Sequence, residues 1–303
     1  MANPIVTGLP AYVEEHNLPL LAKAILGSKS IGMLNVTTSV KGPTALNLLS
    51  TDVVFQDGSD CGWNASGNTE LSQRVLNPAY LKVNTNFCEK KLLKKWAEYQ
   101  VKIAAGMKTL PFEEDFINGI VDGVNEKLEK MIWQGVSGAT SFDGFITLLS
   151  GSTAEEIEFT TGTSVYSAIK EVYLAIPEAI VEKEDTAIYV SPATFRQFIQ
   201  ELVAANLYHF NPNDQAGVYA LPGTNTKVIS VAGLMTGTGD TYDYIVAGEG
   251  KNMFYGTDLE GDENKVEFWY SQDAREFRLA IEWLSGVQVA FPDEMVVGYL
   301  PKA

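Results

Sequence analysis

At 303 residues, with 46% hydrophobic, 11% aromatic and 20% charged side chains, the chain has a globular composition and the length for a large core. No segment approaches the roughly 20 consecutive apolar residues of a membrane span, which excludes a helical membrane protein. A formal net charge of −16 opposes sequence-independent affinity for phosphate backbones, which depends on clustered Lys and Arg releasing counterions.

The N-terminal stretch lacks the basic region, apolar core and small-residue cleavage site of a secretory leader. Cys61 and Cys88 are accordingly expected to stay reduced in a cytoplasm. Residues 1–35 mix Pro, Gly and one short helix-like piece, Leu18 to Leu26, and are expected to form an extended arm. From Met33 to Asn86, β-branched runs alternate with turn clusters: LNVTTSV, KGPT, ALNLLSTDVVF, the polar QDGSDCGWNASGNTE, then LSQRVLNPAYLKVNTNF. This pattern predicts a long projecting hairpin over 36–86. Its polar tip, with Asp57, Gly58, Cys61, Trp63 and Asn64, buries little of itself, and a loop of that length generally has an external role.

Residues 89–105 read as an amphipathic helix, with Leu92, Leu93, Trp96 and Ile103 on the apolar side and Lys90, Lys91, Lys94 and Lys95 exposed. No aromatic-basic interleaving extends this patch, so it is read as a solvated or acid-facing surface. After Pro111 come Phe112, Phe116, Ile117, Ile120, Val121, Val124, Leu128, Met131 and Ile132, spaced as one stripe over about six helical turns. Gly135 is placed to stop this helix. Gly119 and Gly123 inside it predict a close neighbour, and Asp115, Asp122, Glu126 and Glu129 are expected on its solvent side.

Beyond residue 150 helix and strand patterns alternate. A helix over 164–176 precedes Pro177, strand TAIYV follows, and Ser191-Pro192 opens the helix SPATFRQFIQELVAA with a strong cap signal. KVISV, DYIVA and NMFYG read as strands, KVEFWYS and REFRLAIEW as a hairpin, and GVQVAF and VVGYL as two further strands. The fold class is α+β.

Chemistry finds no foothold. His16 and His209 have no spaced Ser, Cys or acid partners, the cysteines form no CxxC, and GTGD at 237–240 lacks the following helix that phosphate binding requires. DLEGDENKVEFW places Asp258, Glu260, Asp262 and Asn264 at alternate positions like a calcium loop. Glu263 occupies its glycine position and Trp269 its closing glutamate, so the three acids are read as an acidic hairpin tip and only weak candidates for a cation. No cofactor and no catalytic residue is expected.

The order of these elements resembles the major capsid proteins of tailed bacteriophages with the Hong Kong 97 fold. EDFINGIVDGVNEKLEKMIWQGVSGATSFDGFITLL is similar to that family's spine helix, ending in a glycine and a variable turn. IYVSPATFRQFIQEL and LPGTNTKVISV resemble its axial domain, and YIVAGEGKNMFYG through REFRLAIEWLSGVQVAF its C-terminal half. The resemblance implies an N-terminal arm (1–35), an extended loop (36–86), a peripheral domain with the spine helix (87–154 and 250–285) and an axial α/β domain (155–249 and 286–303).

It also implies a non-enzymatic subunit that self-assembles through pentamers and hexamers into an icosahedral shell. Such a shell is built in the bacterial host cytoplasm, becomes part of the virion, and encloses DNA without sequence-specific binding. Scaffolding, portal and decoration proteins are the partners implied beside copies of itself, and no membrane. The hairpin-tip residues and Asp258, Glu260 and Asp262 would be assembly surfaces. An encapsulin-type compartment shares the fold, and an enzyme or carbohydrate-binding module using Trp63, Trp269 or Trp283 is the remaining alternative. Some members of the resembled family join a loop lysine covalently to a neighbour's asparagine, but Thr44 to Leu81 contains no lysine. Assembled particles boiled in detergent and reductant should therefore run as one band near 33.1 kDa; a ladder of covalent oligomers would contradict this.

Overall fold

A long helix with a continuous apolar stripe needs a partner for every turn, and this chain supplies partners from three separate stretches. The computed structural model describes residues 13, 17–51, 53–57, 63, 66–88, 90, 94–98, 101, 112–138, 140–207, 216–237, 239–258 and 265–302. Helix α1 (Asn17–Leu26) leads through a 3₁₀ turn to β1 (Asn35–Thr37), then β2 (Thr44–Thr51), β3 (Thr69–Leu76) and β4 (Ala79–Cys88). The long helix α2 (Phe112–Gln134) is followed by α3 (Phe145–Leu149), β5 (Glu155–Glu158), α4 (Val165–Ala175), α5 (Glu178–Val181) and β6 (Thr186–Val190). Next come α6 (Pro192–Ala204), β7 (Val218–Ala220), β8 (Lys227–Ser230), β9 (Tyr242–Glu249) and β10 (Met253–Thr257). The chain closes with β11 (Lys265–Ser271), β12 (Glu276–Val289) and β13 (Val296–Pro301). The expected mixture of helices and strands is present, and no described helix is long and apolar enough to cross a membrane.

The 23 residues of α2 span about 34 Å at 1.5 Å per residue. Ile117, Val121, Val124, Leu128, Ile132 and Trp133 are buried along it. The first partner is α1. Ala24 and Ile25 are fully buried against the spine, Lys23 Nζ donates to Asn118 Oδ1 at 2.8 Å, and Asn125 Nδ2 donates to the Lys23 carbonyl at 3.1 Å. In the described part of the expected arm, the apolar positions join the main core, because the spine stripe would otherwise face water.

Glu129 is a second correction. It is only 5% exposed, not on the solvent side. The Ser30 backbone N–H donates to its Oε2 at 3.1 Å and the Ser30 hydroxyl to its Oε1 at 2.6 Å, while Trp133 Nε1 donates to Ser30 Oγ at 2.6 Å. A carboxylate is tolerated in a core when such donors replace water. Gly119 and Gly123, for which a close neighbour was expected, lie on the exposed face with nothing within 4 Å of where a Cβ would sit.

The helix stops where expected, by close backbone approach. The Gly135 N–H bonds the Met131 carbonyl and the Gly144 N–H bonds the Gly135 carbonyl, both at 2.9 Å. A Cβ on Gly144 would lie 2.6 Å from the Gly135 nitrogen, so the chain entering α3 can pass the helix end only without a side chain there. Asp143 Oδ1 accepts from the Ser137 N–H at 2.7 Å, and Thr147 Oγ1 donates to the Gly135 carbonyl at 2.7 Å.

Two sheets complete the body. One has six strands in the order β5-β13-β9-β6-β8-β7. TAIYV is buried along its whole length because both of its faces are covered. Ile188 and Val190 pack with α4 and α6, whereas Ala187 and Tyr189 turn toward the spine core; β9 divides likewise, with Ile245 and Ala247 on one side and Val246 on the other. The Ser191 N-cap accepts from the Thr194 N–H at 3.1 Å with Pro192 in the first turn, as its sequence indicates.

The other sheet is built on β12. This strand is continuous over 14 residues, so the expected break between REFRLAIEW and GVQVAF does not exist. β4 pairs along one edge, from Cys88 opposite Glu276 to Ala79 opposite Ser285. β11 and then β10 share the other edge, and β1 runs parallel to β10. β10 and β11 each pair with β12 rather than with one another, and residues 259–264 between them lie outside the described residues. In the 89–105 segment residues 94–98 are helical, Trp96 is half-buried against the core, and Lys90, Lys94 and Lys95 are exposed; Leu92, Leu93, Lys91 and Ile103 lie outside the described residues.

Replacing Glu129 with Ala leaves two buried donors unpaired and should lower the unfolding free energy by about 2 kcal/mol. Exposed Glu126→Ala should change it by less than about 0.5 kcal/mol. Urea titrations followed by tryptophan fluorescence and far-UV circular dichroism give both values.

Candidate assembly surfaces

The hairpin of β2 and β3 is held at its root and open along its shaft. Leu76 and Val40 are buried beside Gly256, and Gln288 Nε2 donates to the Val75 carbonyl at 2.7 Å. The two strands pair from Thr44–Leu76 to Thr51–Thr69 and, among the described residues, form a two-stranded sheet of their own. A two-stranded ribbon is marginal in water without a further surface to cover it. Leu49 and Leu71 face each other across it and are both exposed, Leu71 by 80%. Beyond β2, Val53, Val54 and Phe55 follow in sequence, and Phe55 is 95% exposed.

Of the tip residues expected to act as assembly surfaces, Trp63 is 92% exposed and Asp57 is exposed. Gly58, Cys61 and Asn64 lie outside the described residues. The polarity of the tip drew the sequence reading to these positions and away from the apolar Val53–Phe55 run. The signal that finds it is an uninterrupted apolar triplet at the border between a strand-like run and the polar excursion, with no periodicity assigning it to a core.

Asp258 is buried, only 7% exposed, where it bridges Ser39 at the end of β10. Glu260 and Asp262 lie outside the described residues, and among the described residues no group of three His, Cys, Asp or Glu is placed to hold a metal. His16, His209 and Cys61 likewise lie outside them, and Cys88 is an exposed free thiol. Trp283 is a core residue and Trp269 is partly exposed, so the three tryptophans considered as a carbohydrate platform do not share one environment.

Beneath the hairpin root is a groove of about 390 Å³ between Leu48 and Leu49 on one side and Phe254, Phe291, Lys183, Glu249 and Glu294 on the other. Lys183 Nζ bonds Glu249 Oε2 at 2.6 Å, and Lys251 pairs with Asp185. The bond to Glu249 raises the Lys183 pKa despite partial burial. Burial, reinforced by Asp293 and Glu249 and opposed by Lys183, raises the Glu294 carboxyl above its usual 4.5. A second groove, of about 740 Å³, runs along the C-terminal half of α2 between Lys127, Lys130 and Met131 and the segment Ala232–Gly237.

Neither a protein-family model nor a curated protein sequence matches the chain. Solved structures match it along most of its length. A structure of Gordonia phage Cozz is 14% identical with a TM-score of 0.59, covering 91% of this chain and 87% of that one. The satellite phage P4 procapsid including size determination (Sid) protein gives 10% identity and a TM-score of 0.64, covering 94% and 90%. The holo-SrpI encapsulin complex from Synechococcus elongatus PCC 7942 gives 12% identity and a TM-score of 0.55, covering 89% and 86%. The chain has the fold of tailed-phage capsid proteins, which the encapsulin shares.

Because the folded chain holds Glu294 with a raised pKa, it binds that proton more readily than the unfolded chain. The resulting stability is complete below pH 4.5 and is lost as pH rises through the raised value. Glu294→Gln should therefore melt at or above the wild-type temperature at pH 7 and lose that advantage at pH 4. Thermal melts of both proteins across this range provide the comparison.

Proposed function

We propose that this chain is the major capsid protein of a tailed bacteriophage, a subunit that closes with copies of itself into pentamers and hexamers and then into a DNA-enclosing shell. The observation that carries this is a match to capsid structures over nine-tenths of the chain, in a molecule whose hairpin leaves Leu49, Leu71, Phe55 and Trp63 exposed among the described residues. Head-to-tail contacts close rings when each copy offers one surface and accepts another. Each contact need only be modest, because many are engaged at once. A formal charge of −16 per subunit suits a wall that encloses a polyanion without gripping it.

In this reading β1, β4, β10, β11 and β12 with α2 form the peripheral domain and the six-stranded sheet with α4 and α6 the axial domain. The two would part after Val289, where β12 ends, since residue 285 lies inside that strand. The hairpin is the extended loop laid over a neighbour, and scaffolding, portal or decoration proteins would be further partners in a particle assembled in host cytoplasm. The match to the SrpI shell favours one second reading, an encapsulin compartment. The content of purified particles, nucleic acid or a protein cargo, separates the two.

Negative-stain images of the purified chain should show uniform hollow particles, with sedimentation of an assembly of many copies; a monodisperse monomer at all concentrations would sink both readings. Deleting residues 52–68 should leave a folded, soluble subunit, with its melting temperature within a few degrees of wild type, that no longer forms particles. Shells at normal yield would show that the hairpin is not the assembly element.

A further inference from the structure

We infer that the face of the β12 sheet turned away from α2, between Trp269 and Tyr80, binds an extended β-1,4-linked polysaccharide. Its residues all lie in one chain, so the inference stands apart from the shell reading. Strand alternation gives this sheet two unlike faces. Val266, Phe268, Leu279 and Ile281 are buried in the spine core. Trp269, Arg278 and Asn86 stand side by side on the opposite face, because the register pairs Trp269 with Arg278 and Arg278 with Asn86. Trp269 is 40% exposed there, and both polar neighbours are exposed.

The polar groups beside the indole are held in place. Glu276 accepts from Arg278 Nε at 3.0 Å through one oxygen and from Asn86 Nδ2 at 2.9 Å through the other. Those bonds use one of the five guanidinium donors and one of the two amide donors, so both groups keep capacity for a ligand's hydroxyls. Polar groups already fixed next to an aromatic ring lose little freedom on binding. Six residues back along β4 stands Tyr80, opposite Leu284 and 70% exposed, where the hairpin root at Asn77 and Pro78 closes over Gly286. The strip between the two rings is about 20 Å long at about 3.4 Å per residue.

Composition selects the occupant. A protein partner needs an apolar patch at the centre of its contact, but the exposed side chains between the rings include Lys82, Asn84, Glu267 and Glu282. With Glu276 and Arg278 these make three acids against two bases, a field that draws neither a polyanion nor a strongly basic segment. Isolated rings in a nearly neutral polar strip fit a molecule with an apolar face and a polar edge. A pyranose with equatorial hydroxyls is such a molecule: its axial C–H bonds stack on an indole while its hydroxyls reach the side chains alongside. A β-1,4 linkage joins these rings into an extended ribbon that can follow the strip, whereas an α-1,4 chain coils away from it.

The test is calorimetric titration of the purified protein with cellohexaose and with maltohexaose. Cellohexaose should bind at least ten-fold more tightly than maltohexaose. Trp269→Ala should weaken cellohexaose binding at least ten-fold, Trp269→Phe no more than three-fold, and Tyr80→Ala at least three-fold, with circular dichroism and melting temperature unchanged. Tyr166→Ala, which removes an exposed ring on α4, should bind as wild type does. Asn86→Ala, a change at an exposed side chain, should also cost at least three-fold and decides the matter if Trp269→Ala does not fold. No binding of cellohexaose, equal affinity for maltohexaose, or wild-type affinity in Trp269→Ala, Tyr80→Ala or Asn86→Ala would overturn the assignment. None of these titrations requires particles, so a chain that stays monomeric sinks the shell reading and leaves this one to be decided by its own result.

Discussion

Trp133 is the point on which the parts of the molecule converge. Its indole is fully buried near the end of the spine helix, 5.4 Å from the Phe145 ring of the returning segment and 5.1 Å from the Tyr189 ring of the six-stranded sheet. Its N–H is satisfied by Ser30 from the N-terminal stretch, whose own groups are held by Glu129 one helical turn earlier. Four regions far apart in sequence thus share one contact set. A large aromatic contributes most when its polar edge also finds a partner, and this one locks register through the hydrogen bond as well as through area.

That junction ties the spine helix to the six-stranded sheet. The six-stranded sheet divides its side chains between two cores by strand alternation, so one face binds α4 and α6 and the other rests on the spine. The β12 sheet continues the spine core, with Phe277, Leu279 and Ile281 turned inward. One helix therefore backs both sheets, and a force applied at one end is carried through packed elements.

The hairpin follows the opposite physics. Its root is fixed by Leu76, Val40 and the Gln288 bond, but its shaft has one ladder and an uncovered apolar face. Left in water this exposure is a liability of the kind edge strands present. In the proposed shell, covering it would turn that liability into a driving force for association.

The sequence by itself determined much of this. The spine stripe, the glycine that stops it, the Ser191-Pro192 helix start and the polar excursion between two strand-like runs were all legible, because each is a local pattern with its own period or cap. The order of those patterns also carried the fold resemblance. Tertiary structure alone decided what no local pattern encodes. Glu129 reads as one more surface acid until Ser30, 99 residues away, turns out to supply its donors. Residues near the N-terminus read as an arm because too few apolar positions lie together there, yet the spine lends them a core. REFRLAIEW and GVQVAF read as two strands because the alternation breaks between them, where one strand passes from alternating burial to continuous burial over Trp283–Val287. The α2 groove was invisible for the same reason: Met131, Val136 and Met235 become one surface only when the chain brings a helix end and a distant turn together.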